Sequence, residues 1–207
     1  MNKKLLTVIL VLLFAALIVG ASLLYTRLGQ DAMPDQLAEI PTEAPAEVTD
    51  PPAEATEPAT EGPTEPPALA PDFTVYDAEG NPVKLYDFVG KPLVVNFWAS
   101  WCGPCKMEMP DFHEKYLELG EEVQFLMINM TDGSRETVDT ASEFIDKQGY
   151  TFPVYFDTTT EAALTYGAYS LPMTFFISAE GYPIARATGA IDSATLQRGI
   201  DMIYTPE

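Results

Sequence analysis

The chain has 207 residues, enough for one sizeable hydrophobic core, and its 31 acidic against 11 basic residues leave a net charge of −20. That balance argues against a general nucleic-acid binder, whose footprint is a basic patch. Its only cysteines are Cys102 and Cys105, which excludes a disulfide-dense secreted scaffold and a four-cysteine zinc site.

The charge is divided among three unlike segments: +3 over residues 1–28, −10 over 29–70 and −13 over 71–207. Leu5 to Leu24 is a twenty-residue run without charge or proline. As a helix it would span about 30 Å, the thickness of a bilayer core. Lys3 and Lys4 precede it and Arg27 follows it, which predicts a cytoplasmic N-terminus and everything past residue 25 outside. Residues 1–28 therefore read as a single-pass membrane anchor. The alternative is a signal peptide cleaved near Val19-Gly20-Ala21, although the run exceeds the roughly 7–15 apolar residues of an ordinary signal. Either way the remainder is exported.

Residues 29–70 hold nine prolines, ten carboxylates and no Lys or Arg. Such a composition buries too little apolar surface to offset its conformational entropy and predicts a disordered, charge-extended tether. Fully extended, it would reach about 130 Å at ~3.1 Å per residue.

From Pro71 the pattern is that of a folded domain over 71–207. Short strands are expected at 73–76 and 83–85 around the turn Glu79-Gly80-Asn81-Pro82. "LVVNFWA" at Leu93–Ala99 is apolar on both faces, as in the centre of a covered sheet. A helix follows over 104–119 with Met109, Phe112, Tyr116 and Leu119 on one stripe. Then come a strand at 123–129, a helix at 136–148 with Val138, Ala141, Phe144 and Ile145 inward, a strand at 154–156 and a short helix at 161–166. Strands at 174–177 and 184–188 and a helix from 193 to 204 close the chain. This alternation implies an α/β domain with a mixed sheet covered on both faces.

Trp101-Cys102-Gly103-Pro104-Cys105 falls at the junction of the buried strand and the first helix. A cysteine at a helix N-terminus faces the positive end of the macrodipole and free backbone N–H groups, which favours its thiolate. Cys102 is so placed. Cys105 lies one turn further in, close enough for a disulfide and more shielded. The pair therefore predicts a redox-active dithiol in which Cys102 attacks and Cys105 resolves. A zinc site lacks partners, since only His113 adds a ligand, and no metal or cofactor is expected. His113 lies about two turns along the helix from Cys105 and reads as a surface histidine.

"APDF" at Ala70–Phe73, "LYDFVGKPLVVNFWASWCGPCKMEMP" at Leu85–Pro110 and "YGAYSLPMTFFISAEG" at Tyr166–Gly181 resemble the thioredoxin superfamily. Within it they are most similar to the membrane-anchored TlpA and ResA-like thiol–disulfide oxidoreductases. The resemblance implies a thioredoxin-like fold, a mixed central sheet flanked by helices. A helix–strand insertion is implied at about Met130 to Asp157, between the cysteine helix and a cis-proline at Pro172. Leu171 and Pro172, with Trp101, Gly103 and Pro104, make up the implied target-binding surface. Trp98 and Trp101 would pack the strand end and shield the pair. Asn96 stands where thioredoxin has a buried aspartate, and Glu108 matches the glutamate that ResA-like proteins carry. That residue is either an acid/base for Cys105 or an ordinary solvent-facing helix acid. Met173 replaces the usual threonine, and Ser178 an aspartate. The inserted helix is either plain scaffold or the shaper of a target-specific surface.

The resemblance further implies a reductase of disulfides in exported proteins, with cytochrome c maturation as one pathway. A separate transmembrane electron donor of the CcdA/DsbD type is implied too, because the chain has no other cysteine to relay electrons. A thiol peroxidase, or an electron donor to one, and a non-catalytic assembly module are the alternatives.

Overall fold

The computed structural model describes residues 36–40 and 68–206 of the chain. The readings of residues 1–28 and of most of the tether lie outside the described residues. In chain order the elements are β1 (Leu37–Glu39), β2 (Thr74–Tyr76), β3 (Pro82–Lys84), β4 (Leu93–Trp98), α1 (Gly103–Leu119), β5 (Gln124–Asn129), α2 (Val138–Gln148), β6 (Val154–Phe156), α3 (Glu161–Tyr166), β7 (Met173–Ile177), β8 (Pro183–Thr188) and α4 (Ser193–Asp201).

The strands form one mixed sheet in the order β1-β8-β7-β4-β5-β6-β2-β3. β4 runs parallel to β5, and β5 to β6, while β7 is antiparallel to both β4 and β8. β4 is buried along its whole length because successive side chains feed two separate cores. Val94 and Trp98 face Met109, Phe112, Leu196 and Ile200 on the side of α1, α2 and α4. Leu93, Val95 and Phe97 face Phe73, Leu85 and Tyr166 on the other. This two-faced burial is what the unbroken apolar run in β4 reflects.

α1 begins where it does because Pro104 needs no hydrogen-bond acceptor in the first turn, and Cys102 caps the end. Of its predicted stripe, Met109 and Phe112 are buried, while Tyr116 and Leu119 are half-buried against the same core. In α2, Ala141 and Ile145 are buried and Val138 and Phe144 pack at the margin.

Three sequence expectations need correction. The stretch 29–70 is not all tether: β1 adds an edge strand antiparallel to β8, with Leu37 opposite Ala187 and Glu39 opposite Ala185. Leu37 and Ile40 pack against opposite cores, and the Ile40 N–H donates to the Ile184 carbonyl at 2.9 Å. Ala70 is also fully buried, donating to Gly181, so the folded unit draws on chain before residue 71. Leu85 opens a 3-10 turn over Leu85–Phe88 rather than ending a strand. The last helix stops at Asp201, short of Tyr204. No helix among the described residues is long and apolar enough to cross a membrane.

Candidate active site

The chain leaves β4 at Trp98 and turns at once, the Cys102 N–H donating to the Ala99 carbonyl at 3.1 Å. Cys102 then caps α1, its Sγ accepting the Cys105 N–H at 3.2 Å. The two sulfurs are joined in a disulfide with a Cα–Cα distance of 5.3 Å. Cys105 is fully buried and Cys102 keeps 4% exposure, so the expected asymmetry is present though small. Cys102 Sγ thus lies at the positive end of the α1 dipole.

Glu108, on the next turn of α1, is 1% exposed, which rules out the solvent-facing alternative. Its Oε1 accepts from Asn96 Nδ2 at 2.8 Å and its Oε2 from the Ile191 N–H at 3.0 Å. Burial pushes its carboxyl up from 4.5 to about 8, against the opposing pull of those two hydrogen bonds. Asn96 also donates to Thr174 Oγ1 on β7 at 3.1 Å, so the two neighbouring strands β4 and β7 share this buried polar link.

The Leu171–Pro172 peptide is cis, as the resemblance implied. Leu171 borders a groove of about 480 Å³ that opens beside Cys102. Trp101, Gly103 and Pro104 line it from the cysteine turn, and Ala168 and Tyr169 from the loop before the cis-proline. Met130, Asp132 and Arg135 complete it from the inserted segment. The part of the insertion that reaches the groove is the loop before α2, and no residue of α2 itself lines it. This loop brings the groove its charged groups, Asp132 and Arg135, among the residues that line it. Pro172 itself is not among the lining residues; its carbonyl is held by the Gly189 N–H at 2.8 Å.

Residues 67–182 match the AhpC/TSA family. ResA, a thiol–disulfide oxidoreductase of Bacillus thuringiensis subsp. konkukian, is 38% identical over 123 residues, 58% of this chain and 68% of that protein. The chain belongs to the ResA-like thiol–disulfide oxidoreductases. Among solved structures, a DsbF homologue from Corynebacterium diphtheriae is 27% identical with a TM-score of 0.58 over 65% of this chain and 85% of that one. The exposed lipoprotein thioredoxin of Streptococcus pneumoniae is also 27% identical, with a TM-score of 0.54 over 63% of this chain and 98% of that one.

In this ResA-like chain the sequence left two site residues unread. Arg135 stacks its guanidinium 3.7 Å from the centre of the Trp101 ring, which stays 39% exposed. Glu136, expected as the first residue of a helix, precedes the true N-cap Thr137 and is fully buried. It turns inward because three donors await it: the Ser100 N–H and Oγ, and Asn129 Nδ2. The parallel pairing of β4 with β5 sets the loops after these strands side by side, and no local pattern announces that. His113 is not a plain surface residue either. It is half-buried beside the Tyr150 and Phe152 rings and hydrogen-bonds Thr151 Oγ1 at 3.2 Å. Trp98 is wholly buried, as expected of a residue packing the strand end.

Proposed function

We propose that this ResA-like oxidoreductase works as a reductant of disulfides in exported proteins. The observation that carries the reading is Cys102 at the N-cap of α1, its sulfur on the Cys105 amide and its flank open to the groove. In the cycle, the Cys102 thiolate attacks one sulfur of a target disulfide, forming a mixed disulfide and releasing a target thiolate. The Cys105 thiolate then attacks Cys102 Sγ, releasing the second target thiolate and leaving the Cys102–Cys105 disulfide. Two electrons pass to the target. Gly103 and Pro104 form the dipeptide found in thioredoxin, whose potential of about −270 mV lies far below the roughly −120 mV of the oxidant DsbA.

Glu108, one turn beyond Cys105 on α1, is the group assigned to take the proton that Cys105 must lose before it attacks, and it does so in its ionised form, whose share grows as pH approaches its raised value of about 8. Leu171, next to the cis-proline, offers backbone groups to an extended target segment lying along the groove, in the manner of an added strand. The apolar run at residues 5–24 supports retention on the outer face of the cytoplasmic membrane. The oxidised protein is returned to the dithiol by a transmembrane donor of the CcdA/DsbD type, and a haem-attachment cysteine pair of an apocytochrome c is the favoured target.

Insulin reduction by the full chain tests the reading, with Cys102→Ala and Cys105→Ala as controls. Dithiol-dependent turnover is expected. Its absence would sink the reductase, and peroxide consumption surviving Cys105→Ala would assign a thiol peroxidase instead.

A further inference from the structure

The two residues just before the nucleophilic cysteine are each gripped by a side chain from the insertion. Glu136 accepts from the Ser100 N–H at 2.8 Å and from Ser100 Oγ at 2.7 Å, while Arg135 covers the neighbouring Trp101 ring. A third donor, Asn129 Nδ2 at 2.7 Å, ties Glu136 to the end of β5. The loop that carries both residues is braced from within. Asp132 Oδ1 accepts from the N–H groups of Ser134, Arg135 and Glu136 at 2.7, 2.7 and 3.0 Å, and the Gly133 N–H donates to the Glu136 carbonyl.

We infer that the loop 131–136 is a clasp on the cysteine turn, with Glu136 a positioning residue that fixes Cys102 for thiol–disulfide exchange by holding Ser100. A buried carboxylate is costly unless its oxygens are hydrogen-bonded, so such a group is kept where it organises something. It is not needed to start α2, whose N-cap is supplied by Thr137. What it joins is the β4–α1 turn to the β5–α2 loop. Ser100 is two residues from Cys102, and the direction of this turn sets whether Cys102 Sγ meets the Cys105 amide. With Ser100 released, the turn gains freedom and the sulfur loses part of its alignment with the helix N-terminus. Arg135 on Trp101 closes the clasp from the solvent side. Asp132 and Arg135 are the charged groups lining the groove at Cys102, and Glu136 lies behind Ser100.

The inference rests on Cys102 being the attacking sulfur, and the test separates the two. The full chain carrying Cys105→Ser is alkylated with iodoacetamide across pH, and insulin reduction is measured in chains with both cysteines. Glu136→Gln removes the charge but keeps an oxygen for the Ser100 and Asn129 N–H groups and an amide that donates to Ser100 Oγ. Glu136→Ala removes charge and clasp together. The alkylation midpoint of Glu136→Ala is expected at least about half a pH unit above that of Glu136→Gln, the size of a helix-terminus effect. Insulin reduction by Glu136→Gln is expected to exceed that by Glu136→Ala several-fold. Coincident midpoints in two folded variants overturn the clasp, whereas a parent chain that reduces no insulin overturns only the reductase reading. Should Glu136→Ala not fold, Ser100→Ala removes one arm and no charge. Its midpoint is expected at least about 0.2 pH units above the parent's, and an unchanged midpoint overturns the inference.

Discussion

Asn96 on β4 donates a hydrogen bond to the Glu108 carboxylate on α1 at 2.8 Å, and both side chains are sealed from solvent. The link joins the central strand to the helix that carries both cysteines. An amide that cannot ionise orients a carboxyl that can. Asn96 Oδ1 has no partner among the described residues.

Glu108 makes stability depend on pH with a defined sign. Near its ordinary value of 4.5 the unfolded chain ionises, whereas the folded chain holds the proton to about 8. Between these values the folded state binds more protons, so stability falls as pH rises. Glu108→Gln removes that dependence. Urea unfolding at pH 5 and pH 8 is expected to show the variant gaining on the parent as pH rises, and parallel curves would place the carboxyl's titration elsewhere. The same substitution is expected to change the pH dependence of Cys105 titration.

The cysteine roles give a second prediction. Cys105→Ser is expected to stall the mixed disulfide on Cys102 and to retain target proteins through a bond cleaved by dithiothreitol, while Cys102→Ser retains far less. Mass spectrometry of the captured species then identifies the target. Equal capture by the two variants would reverse or merge the roles.

The sequence reveals the central strands and the cysteine helix because their signals are local: an unbroken apolar run in β4, and a proline at a helix start after a capping cysteine. Glu108 is legible as a candidate but not as buried, since nothing in α1 says which side meets Ile191. Arg135 and Glu136 escape altogether. The loop after β5 receives no reading of its own, and its placement beside Trp101 follows only from the parallel register of β4 and β5. β1 escapes for a related reason. Its three residues lie in proline-rich, acidic chain, and their only apolar cue is Leu37, which gains meaning when β8 presents an open edge.

β1 therefore invites a test. Leu37 is half-buried against the core shared by α1, α2 and α4, and its strand covers the edge of β8. Leu37→Asp is expected to lower stability by about 1 kcal/mol through lost apolar burial, read by urea unfolding of the full chain. Insulin reduction is expected to persist, because β1 lies at the sheet edge and contributes no residue to the groove. An unchanged unfolding midpoint would show that the edge strand adds nothing to the fold.

Gly199 offers a prediction that runs against local propensity. It lies inside α4, where alanine ordinarily gains about 1 kcal/mol over glycine. Here a Cβ would overlap the ring of Phe176, which is fully buried in β7. Neither partner moves cheaply: the ring is held on every side, and α4 is fixed through Leu196 and Ile200 in the same core. Overpacking of this kind costs roughly 1–3 kcal/mol, so Gly199→Ala is expected to destabilise despite its propensity gain. Urea unfolding should show a lower midpoint at unchanged slope. Adding Phe176→Leu, which removes the blocking ring, should make the two substitutions less damaging together than their separate costs imply, as contacting sites do. Strict additivity would mean that the helix shifts rather than clashes.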